Sequence, residues 1–559
     1  MVTTIYRNAT IFTADDAGTP GTPGTPGAPG AQAEAFAVSA GRFTHVGGLE
    51  QVREQARAGV AADGDEVLEV DLGGRFVGPG IIDSHTHLTT FGEAVGKVQL
   101  RDCRTLEEIR QRLLAAHRAD PRTPRILGAG WLFDAVGDEH PTAAMLDEVL
   151  PDVPVYLDAN DLHSVWVNTA ALEEMGIDAH SPDPVGGRIA RDAEGRATGM
   201  LYETAGRQYA RNFLERITTP EDQVRFLELA FAAYLESGVT TVTDMAMNRA
   251  DVAAIRALVA RDGGLPFPVT AHMIIEPGED TAADLAGIEE IVALQQEIAV
   301  GPEADWFRIA GVKFIMDGVI DACTATMRAP YADGTNCDPI WTAERLRPVA
   351  HAADEAGLQI AMHAIGDRTS EIALDLLEDC AMRRHPRRHR VEHLETVTEE
   401  TIGRMARLGV TASMQPVHCD PAIMDNWKAV LGDHRSEEGF PWKMVRDAGV
   451  AITLGTDAPT APHEALPNLY IALTGGSAMS PELPPYHPER AFTPEEALTA
   501  LTAGGAWAGE MEHLRGRIRP GLEANFLVLD ADPRREAPEA LLSTQVHSTY
   551  VQGVQRHRR

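Results

Sequence analysis

The middle of the chain, from about residue 76 to about residue 509, alternates short apolar segments with amphipathic helical segments. Strands that are separated by helices in this way form a parallel sheet. A count near eight predicts an α/β fold, a TIM-like (β/α)8 barrel. The surplus candidates and the polar stretch from about 132 to 205 predict one insertion in the barrel. The strand candidates are GPGIIDSHTHL, RILGAGW, VPVYLDA, GVTTVTDM, FPVTAHMI, FRIAGVKFIMDG, LQIAMHAIGD, HRVEHLE, VTASMQP and VAITLGTDAP.

Both ends of the chain differ from the middle, because they are rich in short strand patterns and turn residues. Such patterns fill residues 1–75 and return over residues 510–559. Chain ends often lie close together, so these two segments are expected to pair into one small β-domain. The Thr-Pro-Gly repeat that begins at Thr19 is of low complexity and predicts an exposed loop in that domain.

The charge balance restricts the partners of the chain. There are 83 acidic and 49 basic residues, which gives a formal net charge of −34. Nucleic acids and anionic membranes require a basic footprint, so neither is expected as a partner. A small-molecule substrate is expected instead, and whether the chain forms a homodimer is left open.

The sequence also favours a cytoplasmic location. No apolar run approaches the roughly 20 residues of a membrane span, and the N-terminus lacks the pattern of a signal peptide. The five cysteines are widely spaced and form no CxxC pair, which fits reduced thiols.

The strongest chemical signal is the segment Asp83-Ser84-His85-Thr86-His87, at the end of an apolar run. Side chains alternate along a strand, so His85 and His87 point the same way and can reach one metal ion. Asp83 shares that face and could orient a ligand. Taken alone, the same motif also fits two surface histidines.

Other strand candidates end in residues of the same kind. His363 ends LQIAMH, His393 ends RVEH, and Asp457 ends AITLGTD. The carboxyl ends of barrel strands meet on one face, so these side chains are expected at one mouth. Histidine and carboxylate ligands suit zinc, and also iron, manganese or nickel.

Lys313 lies within the apolar segment FRIAGVKFIMDG. A lysine in such a strand is costly unless its charge is paired, lost or modified. One interpretation is a side chain that reaches out to water, and the other is a lysine carboxylated by CO2 that bridges two cations. Asp317 follows on the loop as a candidate ligand or substrate contact.

The ordered set of motifs resembles the amidohydrolase superfamily, and within it the amidohydrolase-3 type, along nearly the whole chain. The resemblance implies a metal-binding barrel with a β-sandwich made from both chain ends, and activity like that of N-substituted formamide deformylases. It also implies that the ligand or catalytic positions are His85, His87, Lys313, His363, His393 and Asp457. One or two divalent ions are expected there, and zinc is the expected metal. The motifs are NATIFTAD, AGRFTHVGG, VGPGIIDSHTHL, KFIMDG, HAIGD, VEHLE, LGTDAP and GLEANFLVLDADP.

Several further residues are candidates for contacts with a substrate. Trp131 follows a glycine-rich strand end and could line a pocket or simply pack in the core. His163 could donate a hydrogen bond to a substrate oxygen as a catalytic residue, or could be an ordinary loop histidine. Tyr331 and Trp341 flank a loop rich in glycine, proline and aspartate and are candidate lid residues.

Together with these residues, the resemblance implies an enzyme that cleaves an amide-type C–N bond other than a peptide bond. A bound divalent ion would provide hydroxide at neutral pH and polarise the carbonyl, and Asp457 would act as general base and then acid. The absence of a GxSxG elbow disfavours a serine nucleophile. The alternatives are a deaminase or cyclic-amide hydrolase on the same scaffold, and a metal-dependent binding barrel without catalysis.

Overall fold

The computed structural model describes residues 2–15, 33–59, 66–137, 140–159, 164–184, 186–383 and 387–559. The Thr-Pro-Gly repeat lies outside the described residues. The chain divides into two compact units, of which the first contains Met1–Leu88 and Phe231–Arg559 and the second contains Thr89–Ala230. Among the described residues, no helix is both long and apolar enough to cross a membrane.

The strands are numbered in chain order. They are β1 Val2–Arg7, β2 Thr10–Ile11, β3 Ala35–Ser39, β4 Arg42–Gly47, β5 Glu66–Asp71, β6 Phe76–Pro79, β7 Ile81–Thr86, β8 Val98–Gln99, β9 Ile126–Trp131, β10 Val155–Ala159, β11 Ser164–Val167, β12 Gly187–Arg191, β13 Ala197–Glu203, β14 Val239–Met247, β15 Val269–Ile275, β16 Phe307–Ile315, β17 Gln359–Ala364, β18 Arg390–His393, β19 Thr411–Met414, β20 Ile452–Leu454, β21 Phe526–Leu529, β22 Val546–Val551 and β23 Val554–Arg558.

The α-helices are numbered in the same way. They are α1 Leu49–Ala58, α2 Leu88–Gly96, α3 Leu106–Ala119, α4 Ala143–Asp147, α5 Thr169–Met175, α6 Asn212–Ile217, α7 Pro220–Glu236, α8 Arg249–Asp262, α9 Thr281–Ala299, α10 Ala343–Glu355, α11 Asp367–Arg383, α12 Glu399–Leu408, α13 Met424–Leu431, α14 Arg435–Glu438, α15 Trp442–Asp447, α16 Ala465–Thr474, α17 Pro494–Thr499 and α18 Gly505–Ala508.

The first unit contains the barrel. Its eight strands, counted over the described residues, are parallel neighbours in the order β20-β19-β18-β17-β16-β15-β14-β7. Two backbone hydrogen bonds link the ends of the first and last strands, from Asp457 N to His85 O at 2.7 Å and from His87 N to Ala458 O at 2.9 Å. The barrel that the strand count predicts is thus confirmed. Its seam brings the two histidines of the first strand beside Asp457.

The chain ends form two packed sheets in the same unit. Sheet β4-β3-β1-β5 comes from the N-terminal segment, whereas sheet β2-β6-β21-β22-β23 combines strands from both ends. Aromatic side chains fill the space between the sheets: Phe526 stacks on Tyr550 at 4.2 Å between ring centroids and meets the edge of Phe36 at 5.0 Å. This arrangement confirms that a β-sandwich is built from both termini.

The second unit is built around a sheet of its own, in the order β12-β13-β11-β10-β9-β8. It includes the polar stretch 132–205 and extends beyond it on both sides. Two of the surplus strand candidates, RILGAGW and VPVYLDA, form β9 and β10 there, as parallel neighbours. Trp131 and Trp166 pack together in its core, with ring centroids 5.1 Å apart.

Candidate metal centre

Four strand ends of the barrel bring histidine and aspartate side chains together at one mouth. His85 lies on β7 and His87 follows it, while His393 ends β18. The ring centroid of His85 lies 5.7 Å from that of His87 and 4.8 Å from that of His393. His363, on β17, lies 4.3 Å from His393 by the same measure. The structure therefore collects the histidines that the sequence assigns to separate strands.

Asp457, after β20, completes this group. Its Oδ1 lies 3.0 Å from His87 Nε2 and 3.3 Å from His85 Nε2, and its Oδ2 lies 4.0 Å from His393 Nδ1. One ligand atom each from His85, His393 and Asp457 lie within 4.8 Å of one another. Two imidazoles and a carboxylate at this spacing form a donor set that one divalent ion can use.

The backbone is strained where two of these side chains leave it. His393 has a φ of 75° and Asp457 a φ of 60°, both in the left-handed region that side chains other than glycine rarely occupy. Such conformations cost about 1–3 kcal/mol each and persist where the surrounding structure enforces them, often at functional sites. Here they turn both side chains at the ends of their strands.

Lys313 lies on β16, and its side chain is buried, with 2% exposed. Within the described part of the chain, its Nζ has no hydrogen-bond partner. The amine therefore does not reach water. The interpretation in which this side chain extends out to solvent does not fit the structure. Burial disfavours the charged form and lowers the pKa of Lys313 to about 8, although Glu392 and Asp457 counteract this shift.

Burial lowers the pKa of His363 and of His393, which favours the neutral form of both side chains, and this is the form that binds metals. Burial and the charge of Lys313 lower the pKa of His363 to about 3. His363 Nε2 lies 3.1 Å from the carbonyl oxygen of Gly318, an acceptor that requires the proton on Nε2. This contact leaves His363 Nδ1 as the nitrogen with a free lone pair.

Asp317 lies beside His363, with 3.6 Å between Asp317 Oδ1 and His363 Nε2. Its carboxylate is buried and accepts hydrogen bonds from two loops and the first turn of α11: the donors are Ile365 N, Gly366 N, Thr326 N and Thr369 Oγ1. Burial nevertheless raises the pKa of Asp317 to about 6. The contacts connect the loop after β16 to the segment between β17 and α11.

The predicted substrate-contacting aromatic residues are packed in the protein interior. Tyr331 is 3% exposed and donates a hydrogen bond from its hydroxyl to Ala325 O at 2.9 Å, and Trp341 is 1% exposed. Trp131 is fully buried in the second unit, where its Nε1 donates to Leu157 O. His163 lies outside the described residues. The substrate contacts of all four residues stay predictions.

Sequence reasoning missed His418, which lies on the short 3-10 turn Pro416–Cys419 after β19. Its Nε2 is 3.4 Å from Asp457 Oδ2, and its ring is parallel to that of His393 at 5.8 Å. On the other side, His418 Nδ1 lies 3.6 Å from Glu395 Oε1. The segment VTASMQP was predicted as a strand, but His418 lies on the turn beyond it, where strand alternation gives no direction.

A divalent metal ion fits the residues that are present. Asp457 Oδ1 is one of the buried polar atoms that lack a well-oriented hydrogen bond among the described residues. Buried polar atoms without partners are rare in folded proteins, and an ion is one way of satisfying them. The surrounding donors are imidazole nitrogens and carboxylate oxygens, which zinc and related ions prefer.

The comparison with protein families identifies the family of the chain. A model of the amidohydrolase family matches residues 68–557. The chain belongs to the amidohydrolase family. An amidohydrolase of this kind is a metal-dependent enzyme that hydrolyses carbon–nitrogen bonds other than peptide bonds, which agrees with the ligands at the mouth of the barrel.

Individual relatives agree with this assignment. The amidohydrolase is 30% identical to an N-substituted formamide deformylase from Arthrobacter pascens, over 94% of this chain and 95% of that protein. It is 28% identical to the putative amidohydrolase YtcJ from Bacillus subtilis, over 93% of this chain and 95% of that protein. A solved metal-dependent hydrolase from Pyrococcus horikoshii matches with a TM-score of 0.74 and 25% identity, over 96% of this chain and 99% of that one.

Proposed function

We propose that this amidohydrolase cleaves the amide bond of an N-substituted formamide or an N-acyl amine, with zinc at the mouth of the barrel. The observation that carries the proposal is the group formed by His85, His393 and Asp457, which offer ligand atoms within 4.8 Å of one another, with His87 and His363 beside them at the mouth. The substrate class is supported by the relative named as a deformylase, which is matched over nearly its whole length.

The residues at the mouth are proposed to have different roles. His85, His87, His363, His393 and Asp457 would hold one or two divalent ions, which when bound supply Lewis acidity toward a substrate oxygen and a water molecule. Asp457 takes the proton of the attacking water at Oδ2 and returns it to the leaving nitrogen. His418 lies 3.4 Å from that same oxygen and is placed to hold the carboxylate in orientation during the transfer.

Lys313 is proposed to be carboxylated. Its neutral amine would attack CO2 and form an N–C bond, and the proton that is released would leave to solvent, so that the side chain becomes an anionic carbamate. The carbamate would supply two oxygens to a pair of ions. An unmodified ammonium would instead repel a cation by about 4 kcal/mol per pair of unit charges at 4 Å with an effective dielectric constant near 20.

For Lys313→Ala, we expect metal content to fall and activity to be lost, because the buried anionic bridge is removed. Metal analysis and turnover measurements test this, and short carboxylic acids are expected to restore part of the activity by occupying the vacated space. Lys97→Ala is the matched control, since Lys97 is another largely buried lysine but pairs with Asp158 in the second unit. Full metal content in Lys313→Ala would contradict the bridging role.

A substrate screen tests the proposed reaction. The screen contains N-substituted formamides, N-acyl amines, cyclic amides and amino-substituted heterocycles. The first two classes are expected to be hydrolysed to a carboxylic acid, formate for the formamides, and the free amine. The physical reason is that hydrolysis at a carbonyl carbon expels the amine, whereas a deaminase expels ammonia from an amidine-like carbon. Ammonia as the main product would favour the deaminase. Metal-loaded protein without turnover on any of these compounds would favour a binding barrel.

A further inference from the structure

We propose that Glu392 and Arg390 are positioning residues that fix the orientation and the proton of His85, so that its Nε2 is the nitrogen presented to the metal. This inference rests on the proposed role of His85 as a ligand. It makes tight metal binding depend on Glu392 and Arg390, two residues that do not contact the ion themselves.

The first step is the contact between Glu392 and His85. Glu392 Oε2 lies 2.7 Å from His85 Nδ1, and both side chains are almost completely buried. A carboxylate at this distance accepts a hydrogen bond, so the imidazole proton is held at Nδ1. The lone pair is then at Nε2, which lies 3.3 Å from Asp457 Oδ1 and faces the candidate metal position. A hydrogen bond of this kind sets the tautomer of a ligand and makes it more basic.

The second step is the fixation of Glu392 by Arg390. Arg390 donates from Nε to Glu392 Oε1 at 2.8 Å and from Nη2 to Glu392 Oε2 at 3.0 Å, so the carboxylate is held at both oxygens. Planar two-point contacts of this type give strong directional control. The same Nη2 also lies 2.8 Å from Ser84 O and 2.9 Å from Ser413 Oγ.

The third step is the position of these residues in the barrel. Arg390 and Glu392 lie two residues apart on β18, so their side chains share one face, and that face is fully buried. Strand β7, which carries His85, is not a neighbour of β18 in the sheet. The contact from Glu392 to His85 therefore crosses the barrel interior and connects β7, the first strand of the barrel, to β18, the sixth.

The test compares zinc affinity in two variants of the full-length, metal-loaded protein. Glu392→Gln is expected to weaken zinc binding about 10- to 100-fold, as measured by competition with a chelator of known affinity. Glu523→Gln is the matched control, because Glu523 is also a buried carboxylate held at both oxygens by an arginine, at 3.1 Å from Arg515 Nε and Nη2, but lies outside the mouth. It is expected to lower the midpoint of thermal unfolding and to leave zinc affinity unchanged.

Glu392→Gln leaves a buried arginine charge without its partner and could therefore lower the stability of the fold. A second variant separates an effect on zinc affinity from an effect on folding. The double variant Arg390→Met with Glu392→Met removes both charges and is expected to recover stability while zinc affinity stays weak. Wild-type affinity in either variant, or an equal loss in Glu523→Gln, would overturn the inference. If His85→Ala itself retained zinc, the proposed ligand set would be wrong and the positioning role would be wrong with it.

Discussion

Replacing Asp457 with asparagine is expected to lower kcat by about 10²- to 10⁴-fold, the range over which a positioned acid or base contributes to catalysis. The amide has nearly the same shape as the carboxylate but cannot take a proton at Oδ2. It also removes the negative charge beside His85 and His87, whose Nε2 atoms lie 3.3 and 3.0 Å from Asp457 Oδ1. Steady-state kinetics on the best substrate, together with metal analysis, measure both effects.

The control for this variant is Asp354→Asn. Asp354 is likewise buried and ion-paired, but its partners Arg387 and His389 precede β18, away from the strand ends that carry the ligands. Loss of this pair is expected to destabilise the fold and to leave kcat per folded molecule close to that of the wild type. A kcat for Asp457→Asn within the range of this control would show that Asp457 carries no proton in the rate-limiting step.

Removing the metal is expected to reduce activity to background. The mouth offers imidazole nitrogens and a carboxylate, and in the proposed reaction an ion held by these groups activates the attacking water. Dialysis against a strong chelator, followed by back-titration with zinc and other divalent ions, measures the dependence and identifies the most effective ion.

The same titration also measures the thermal stability of the protein, because an ion that binds only the folded state stabilises that state by RT ln(1 + [L]/Kd). The midpoint of thermal unfolding should therefore rise as zinc is returned. A chelated preparation that contains no metal and still turns over at the full rate would contradict the dependence.

Much of the site could be predicted from the sequence, because its residues follow from local rules. His85 lies on a strand and His87 follows two residues later, just beyond its end, and His363, His393 and Asp457 each come at the end of an apolar run. The carboxyl ends of barrel strands converge, so these positions imply one another once the barrel is recognised. Lys313 was identified for a different reason: a charged side chain within an apolar strand is costly, so its presence indicates a special role.

Other parts of the site depend on contacts that local patterns do not contain. Glu392 meets His85 across the barrel, at a separation of 307 residues in the chain. His418 lies on a turn, so its direction depends on how the backbone leaves β19. Tyr331 and Trp341 occur in a loop rich in turn residues, which favours exposure, yet both are packed in the interior because large aromatic side chains gain free energy from burial.

The seam between β7 and the segment after β20 has a consequence for the assembly of the enzyme. Thr86 and Ala458 are bridged there, although 372 residues separate them in the chain. Contacts between such distant residues carry a high loop-closure cost and are rewarded only when the intervening structure is in place. A nascent or truncated chain that ends before Asp457 has His85 and His87 but no carboxylate opposite them. The complete candidate ligand set is therefore assembled only when the last strand of the barrel is in place.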